Sequence, residues 1–262
     1  MKVMHVFVCE DSVEGILTGV YRAWESRNGH ENNKLELVGE SNYELFCEYH
    51  KVEPDAGIAD KVIRSIRQKI SSEAYEYLYK AMMTRNPMKA DYVYRFMILG
   101  FYYGRSVVNF LSNDAVSQIM KLSGRVGMEA HHYTGFIRFQ EIEGGILLAR
   151  FRPENNIVTI IAPHFADRFS NENFVIYDEA RKVAVIHEKN KPWFLIHSDV
   201  FSVEKAGELS NEEANLQQVW NTFVTSVSIK ERENRSLQQN LVPLRYREFM
   251  NEFMEQKLGV ND

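Results

Sequence analysis

The chain has 262 residues, a net charge of −5 at neutral pH and a pI near 6.0. An apolar share of 45% and an aromatic share of 12% supply a sizeable core and exclude a largely disordered chain. The acidic balance excludes a global positive field, so any nucleic-acid site has to be a local patch. Two isolated cysteines, Cys9 and Cys47, make neither a zinc ribbon nor a disulfide framework and point to a reducing cytoplasm. The apolar N-terminus is too short for a signal segment, and no apolar run approaches the roughly 18 residues of a membrane span. No membrane partner is expected.

In chain order, residues 3–9 alternate like a strand and are expected to join a later sheet. Asp11 or Ser12 then caps a helix with Val13, Ile16, Leu17, Val20, Tyr21 and Trp24 on one face. Residues 54–130 read as almost wholly helical. Ile58, Val62, Ile66 and Ile70 mark one helix, and Ser71-Ser72 cap a second. A third starts near Pro87, is apolar on most sides to Leu111, and should be central and buried. A fourth begins near Ser112-Asn113-Asp114, with Gly124 and Gly127 weakening its end.

From residue 131 the pattern turns to short alternating or β-branched runs: 134–140, 145–151, 173–178, 182–187 and 193–197. Residues 155–170 fit either a strand or a helix, and the spacing of Phe165 and Phe169 favours a helical turn after Pro163. A final helix is expected from Asn211 to about Ile229, followed by a polar stretch and a short helix carrying Tyr246, Phe249 and Phe253. The reading is one α+β domain over 1–262. A mainly helical lobe, 12–130, packs on a largely antiparallel sheet, 131–200, closed by C-terminal helices over 211–258.

Three stretches carry candidate chemistry. In the hairpin 134–152 a short turn centred on Gly144 sets Arg138 opposite Arg150 and Phe136 opposite Arg152. Facing arginines repel unless an anionic ligand or an internal carboxylate network neutralises them, and a slipped register would part them. His131, His132 and His164 lack metal-motif spacing and a placed carboxylate or thiolate, so no metal and no cofactor are expected. Each serves either as a general acid or base or as a hydrogen-bonded structural residue. His164 and Arg168 share a face if their segment is helical. The stretch 229–247 holds Arg232, Asn234, Gln238, Arg245 and Tyr246, either a phosphate- and base-contacting surface or a solvated loop. Glu10, Asp11 and Glu14 either hold Mg2+ or cap a helix.

Several segments resemble a bacterial family labelled as DNA metabolism or DNA repair proteins and built on a domain of unknown function. They include Asp11-Ser12-Val13-Glu14-Gly15-Ile16-Leu17-Thr18, Tyr103-Gly104-Arg105-Ser106, Gly135-Phe136-Ile137-Arg138-Phe139 and Ala162-Pro163-His164-Phe165-Ala166-Asp167-Arg168-Phe169. Lys230-Glu231-Arg232-Glu233-Asn234, Gln238, Pro243, Arg245 and Tyr246 extend the resemblance over nearly the whole chain. It implies a companion radical-SAM protein similar to spore photoproduct lyase, and a nucleic-acid context shared with domains resembling uracil-DNA glycosylase. It transfers no catalytic residue. His132-Tyr133-Thr134 departs from the basic residues expected after the family histidine, which favours His131 and His164 over His132.

The first expectation is an accessory protein that binds nucleic acid or its radical-SAM partner through Arg138, Arg150, Arg168, Arg232, Asn234, Gln238, Arg245 and Tyr246. The alternatives are an enzyme on a nucleotide or damaged DNA, with His131 or His164 as acid/base, and a protein-binding scaffold.

Overall fold

The computed structural model describes residues 3–39, 44–197, 210, 213, 215–220, 222, 235–250 and 253. The fold is α+β, and two compact units are distinguished, Met1–Met128 and Glu129–Asp262.

In the first unit, β1 (Met4–Cys9) is the middle strand of a parallel three-stranded sheet, between β2 (Asn33–Leu37) and β3 (Cys47–Lys51). It therefore does not join the later sheet. Its partners are short and half charged, with burial alternating along β2, so they carry little apolar signal. Ser12 caps α1 (Val13–Glu25), its Oγ accepting from the Gly15 N–H at 3.0 Å. Asp11 pairs with the ammonium of buried Lys89, and Glu14 sits in the first turn of α1. Burial pushes the Cys9 thiol up to about 12, which keeps it a neutral core group.

Asp55 and Ser71 cap α2 (Ala56–Lys69) and α3 (Ser72–Met82) in the same way. The central helix α4 (Lys89–Tyr103) buries Tyr94, Phe96 and Met97 completely. It stops earlier than its apolar run, because Gly104 turns to φ +62° and its N–H closes on the Gly100 carbonyl. A 3-10 stretch, Gly104–Asn109, follows. Helix α5 (Asp114–Phe136) passes straight through Gly124 and Gly127. Its buried Val116, Ile119, Leu122, Val126, Ala130 and Tyr133 recur at helical spacing, and that apolar stripe outweighs the roughly 1 kcal/mol each glycine costs.

In the second unit the sheet has five strands in the order β4-β5-β6-β7-β8. They are β4 (Phe139–Ile142), β5 (Ile146–Phe151), β6 (Phe174–Asp178), β7 (Val183–His187) and β8 (Phe194–His197). All pairings are antiparallel except β5 with β6. The expected strand over 134–140 starts only at Phe139, because Thr134, Gly135 and Phe136 still belong to α5. Phe136 therefore does not face Arg152. The hairpin pairs Phe139 with Ala149, and Arg138 lies before the first residue of β4.

Between the parallel strands runs the crossover helix α6 (Val158–Arg168), with Pro163 inside it. It starts before Pro163, so residues 155–170 contain no strand. Phe165 and Phe169 pack edge-on against Phe139, and Phe169 also against Phe174, which places α6 on the sheet face of Phe139, Ala149 and Ile176. The other face carries Leu148, Arg150, Val175 and Tyr177. Beyond the sheet lie α7 (Arg235–Leu241) and a 3-10 turn, Leu244–Phe249. Of the expected helix over 211–229, residues 213, 215–220 and 222 are described and are helical. No helix among the described residues is long and apolar enough to cross a membrane.

Candidate nucleic-acid interface

The carboxyl ends of the parallel strands β5 and β6 bring together Arg150, Arg152 and Glu179. Arg150 Nε donates to Glu179 Oε1 at 2.7 Å, and Arg152 Nη2 donates to Glu179 Oε2 at 2.9 Å. Arg152 Nη1 also donates to Glu248 Oε1 at 2.7 Å. The Phe249 ring lies beneath both guanidinium groups, 5.5 Å from that of Arg150 and 6.0 Å from that of Arg152. One carboxylate thus serves two arginines. The network joins Arg150 to Arg152 and does not include Arg138, and the side chains of Arg150 and Arg152 are 45% and 52% exposed.

The 3-10 turn extends this surface. Tyr246 points inward and is buried, packing edge-on against Tyr133 and His132. Arg245 Nη2 donates to the Tyr246 hydroxyl at 2.9 Å, its guanidinium lying over the Tyr246 ring. The same hydroxyl is 3.1 Å from His132 Nδ1. Burial pushes the Tyr246 phenol up, while the Arg245 charge pulls it down, and burial raises the Tyr133 phenol far above its ordinary range. Both phenols therefore stay protonated at neutral pH. Arg245 supplies a donor to the Tyr246 hydroxyl, and the phenol can give its own proton to His132 Nδ1 in the tautomer that leaves that nitrogen unprotonated. Tyr133 donates to the Arg152 carbonyl at 3.1 Å. Arg245 also reaches Glu154 at 3.4 Å, with both side chains largely exposed.

Two buried carboxylates hold the loop that carries these groups. Glu129 accepts from the Glu154 N–H at 2.7 Å, the Asn155 N–H at 3.0 Å and Asn155 Nδ2 at 2.6 Å. Asp178 accepts from the N–H groups of Ala180 and Arg181 and from Arg181 Nη1. Burial raises its carboxyl and the Arg181 charge opposes that. Arg181 then donates to the carbonyls of Pro153 and Glu154. The 152–155 backbone is thus clamped from both sides, which fixes where Arg152 and Glu154 emerge.

Of the residues singled out in the sequence, Arg150, Arg245 and Tyr246 come together here. His131 is exposed on α5, its ring 6.4 Å from that of His132. His164 and Arg168 are exposed on α6, over the sheet face opposite to Arg150, with Arg168 above the Phe169 ring. Arg138 donates to the Gly135 carbonyl at 3.0 Å and closes the C-terminal end of α5. Gln238 is exposed on α7, and its carbonyl accepts from the Val242 N–H. Arg232 and Asn234 lie outside the described residues.

Sequence reading did not assign Arg152, Glu179 or Phe249 to the site, and it ranked His132 below His131 and His164. The two-residue spacing of Arg150 and Arg152 was the available signal, since it keeps both on one side of an extended chain. The match of Glu179 to both is a product of the β5–β6 register and has no local signature.

Residues 87–252 match the model of a family described as a domain of unknown function, DUF4130, and that stretch contains every residue of this surface. No curated protein matches the chain.

Proposed function

The chain belongs to the DUF4130 family, and from that premise we propose that it is a cytoplasmic accessory protein of DNA metabolism. It holds single-stranded nucleic acid on the surface of Arg150, Arg152 and Arg245. The observation that carries this reading is three accessible guanidiniums in one unit, each stacked over the ring of Phe249 or Tyr246. Guanidinium forks match phosphate oxygens, and the aromatic support fixes their planes before a ligand arrives. Phosphate takes over the arginine bonds that Glu179, Glu248 and Glu154 hold in the free chain. A radical-SAM companion that acts on the held strand belongs to the same proposal and rests on the resemblance alone. Copurification of the two chains is its test.

The binding reading is tested by fluorescence anisotropy with a labelled single-stranded oligonucleotide. Three phosphate contacts give a log–log salt slope of about −2. Replacing Arg150, Arg152 and Arg245 together by alanine is expected to lower affinity by about 30-fold or more and to flatten that slope, with little change in thermal midpoint. Undetectable binding at low salt, or a slope unmoved by the triple substitution, sinks the proposal.

A further inference from the structure

The parallel pairing of β1 with β3 sets His5 against Glu48 and Phe7 against His50. Partners in register project from the same sheet face, so the two histidines and the glutamate converge although 43 and 45 residues of sequence separate them from His5. His5 Nδ1 lies 3.2 Å from His50 Nε2 and 3.4 Å from Glu48 Oε2. All three ligand atoms lie within 4.8 Å of one another. A tetrahedral ion with bonds of about 2.0–2.1 Å holds its ligand atoms about 3.3–3.4 Å apart. The spacing of the His5 nitrogen from the other two atoms is that of ligands around one such ion.

We infer that His5, Glu48 and His50 bind one divalent first-row transition ion of the Zn2+ class. Two neutral imidazole nitrogens and one carboxylate are borderline ligands that suit such an ion better than Mg2+ or Ca2+. The His50 ring is stacked between His5, at 5.4 Å, and Phe7, at 5.1 Å, so its plane is set by packing. Three protein ligands leave a coordination position open. His50 also lines a cleft of about 390 Å3, with Phe7, Arg22 and Glu53. The three residues lie in the first unit, outside the stretch matched by the family model.

The test uses the untagged full chain, titrated with Zn2+ against a chromophoric chelator and with Co2+ followed by visible absorption. The expected result is one ion per chain and an intense tetrahedral Co2+ band. His5→Gln and His50→Gln are each expected to weaken binding about 100-fold, and Glu48→Gln about tenfold. Zn2+ should raise the thermal midpoint of the unsubstituted chain and of a control, His164→Gln, but not of His50→Gln. The inference is overturned if no ion binds at micromolar Zn2+, or if binding survives the loss of His50. It is also overturned if Co2+ bound to the unsubstituted chain shows only the weak octahedral spectrum, a readout that needs no variant to fold.

Discussion

Replacing Glu129 by alanine is expected to lower the unfolding free energy by about 3 kcal/mol, read by urea titration followed by far-ultraviolet circular dichroism. Glu129 is buried and accepts three hydrogen bonds, two of them from backbone N–H groups of Glu154 and Asn155. Truncation leaves those donors without an acceptor in a site that water reaches poorly. Each orphaned donor costs about 1–3 kcal/mol. Glutamine is not a rescue. It keeps one acceptor oxygen but turns an amide N–H toward a backbone N–H, so about 2 kcal/mol is still lost. The damage should spread to the arginine surface, since the 152–155 loop loses one of its two clamps. A loss below about 1 kcal/mol for Glu129→Ala shows that the loop is held without this carboxylate.

Gly19→Ala is expected to cost about 2 kcal/mol, and the loss should vanish when Cys9 is alanine. Helix α1 lies so close to β1 that a Cβ at position 19 would sit 2.1 Å from Cys9 Sγ and 3.4 Å from Leu35 Cδ2. Cys9 is fully enclosed, so its sulfur has nowhere to turn. Overpacking of this kind costs about 1–3 kcal/mol, against which alanine regains up to about 1 kcal/mol of helix propensity. With Cys9→Ala the obstructing atom is gone, and Gly19→Ala should become neutral or stabilising. A double-mutant cycle reads the difference, and additivity of the two substitutions excludes this contact as the reason for the glycine.

Features written locally in the chain were legible in its sequence. Ser12 and Ser71, each one of two adjacent candidates, cap helices where their spacing to the next apolar residues places them, because a cap involves three or four consecutive residues. The runs that became β5 to β8 are β-branched and bounded by turns, and they were found within a residue or so. The glycine turn of the first hairpin is centred where its sequence places it, and it pairs Phe139 with Ala149.

What escaped depends on distance along the chain. Residues Asn33–Leu37 and Cys47–Lys51 become strands because β1 is there to pair with them. Their own half-charged pattern is a poor strand signal. The continuation of α5 to Phe136 is decided by the burial of Ala130 and Tyr133, which outweighs two glycines. At the candidate surface, arginine-rich stretches were visible but not their meeting. Arg150 and Arg245 share a unit through the Tyr133–Tyr246 packing, whereas His164 and Arg168 are parted from Arg150 by the sheet itself. The convergence of His5, Glu48 and His50 likewise exists only once a strand register does.

In the proposed function, Glu179 holds Arg150 and Arg152 in reserve as anion ligands. Glu179→Gln tests it most directly, with single-stranded oligonucleotide affinity measured at two salt concentrations and the thermal midpoint as a check on folding. The substitution removes the one carboxylate common to both arginines. Affinity is predicted to rise several-fold, with a steeper salt dependence, because the phosphate no longer competes with a charged partner. Unchanged or weaker binding by a folded Glu179→Gln variant would contradict the claim and leave the arginine network a structural one.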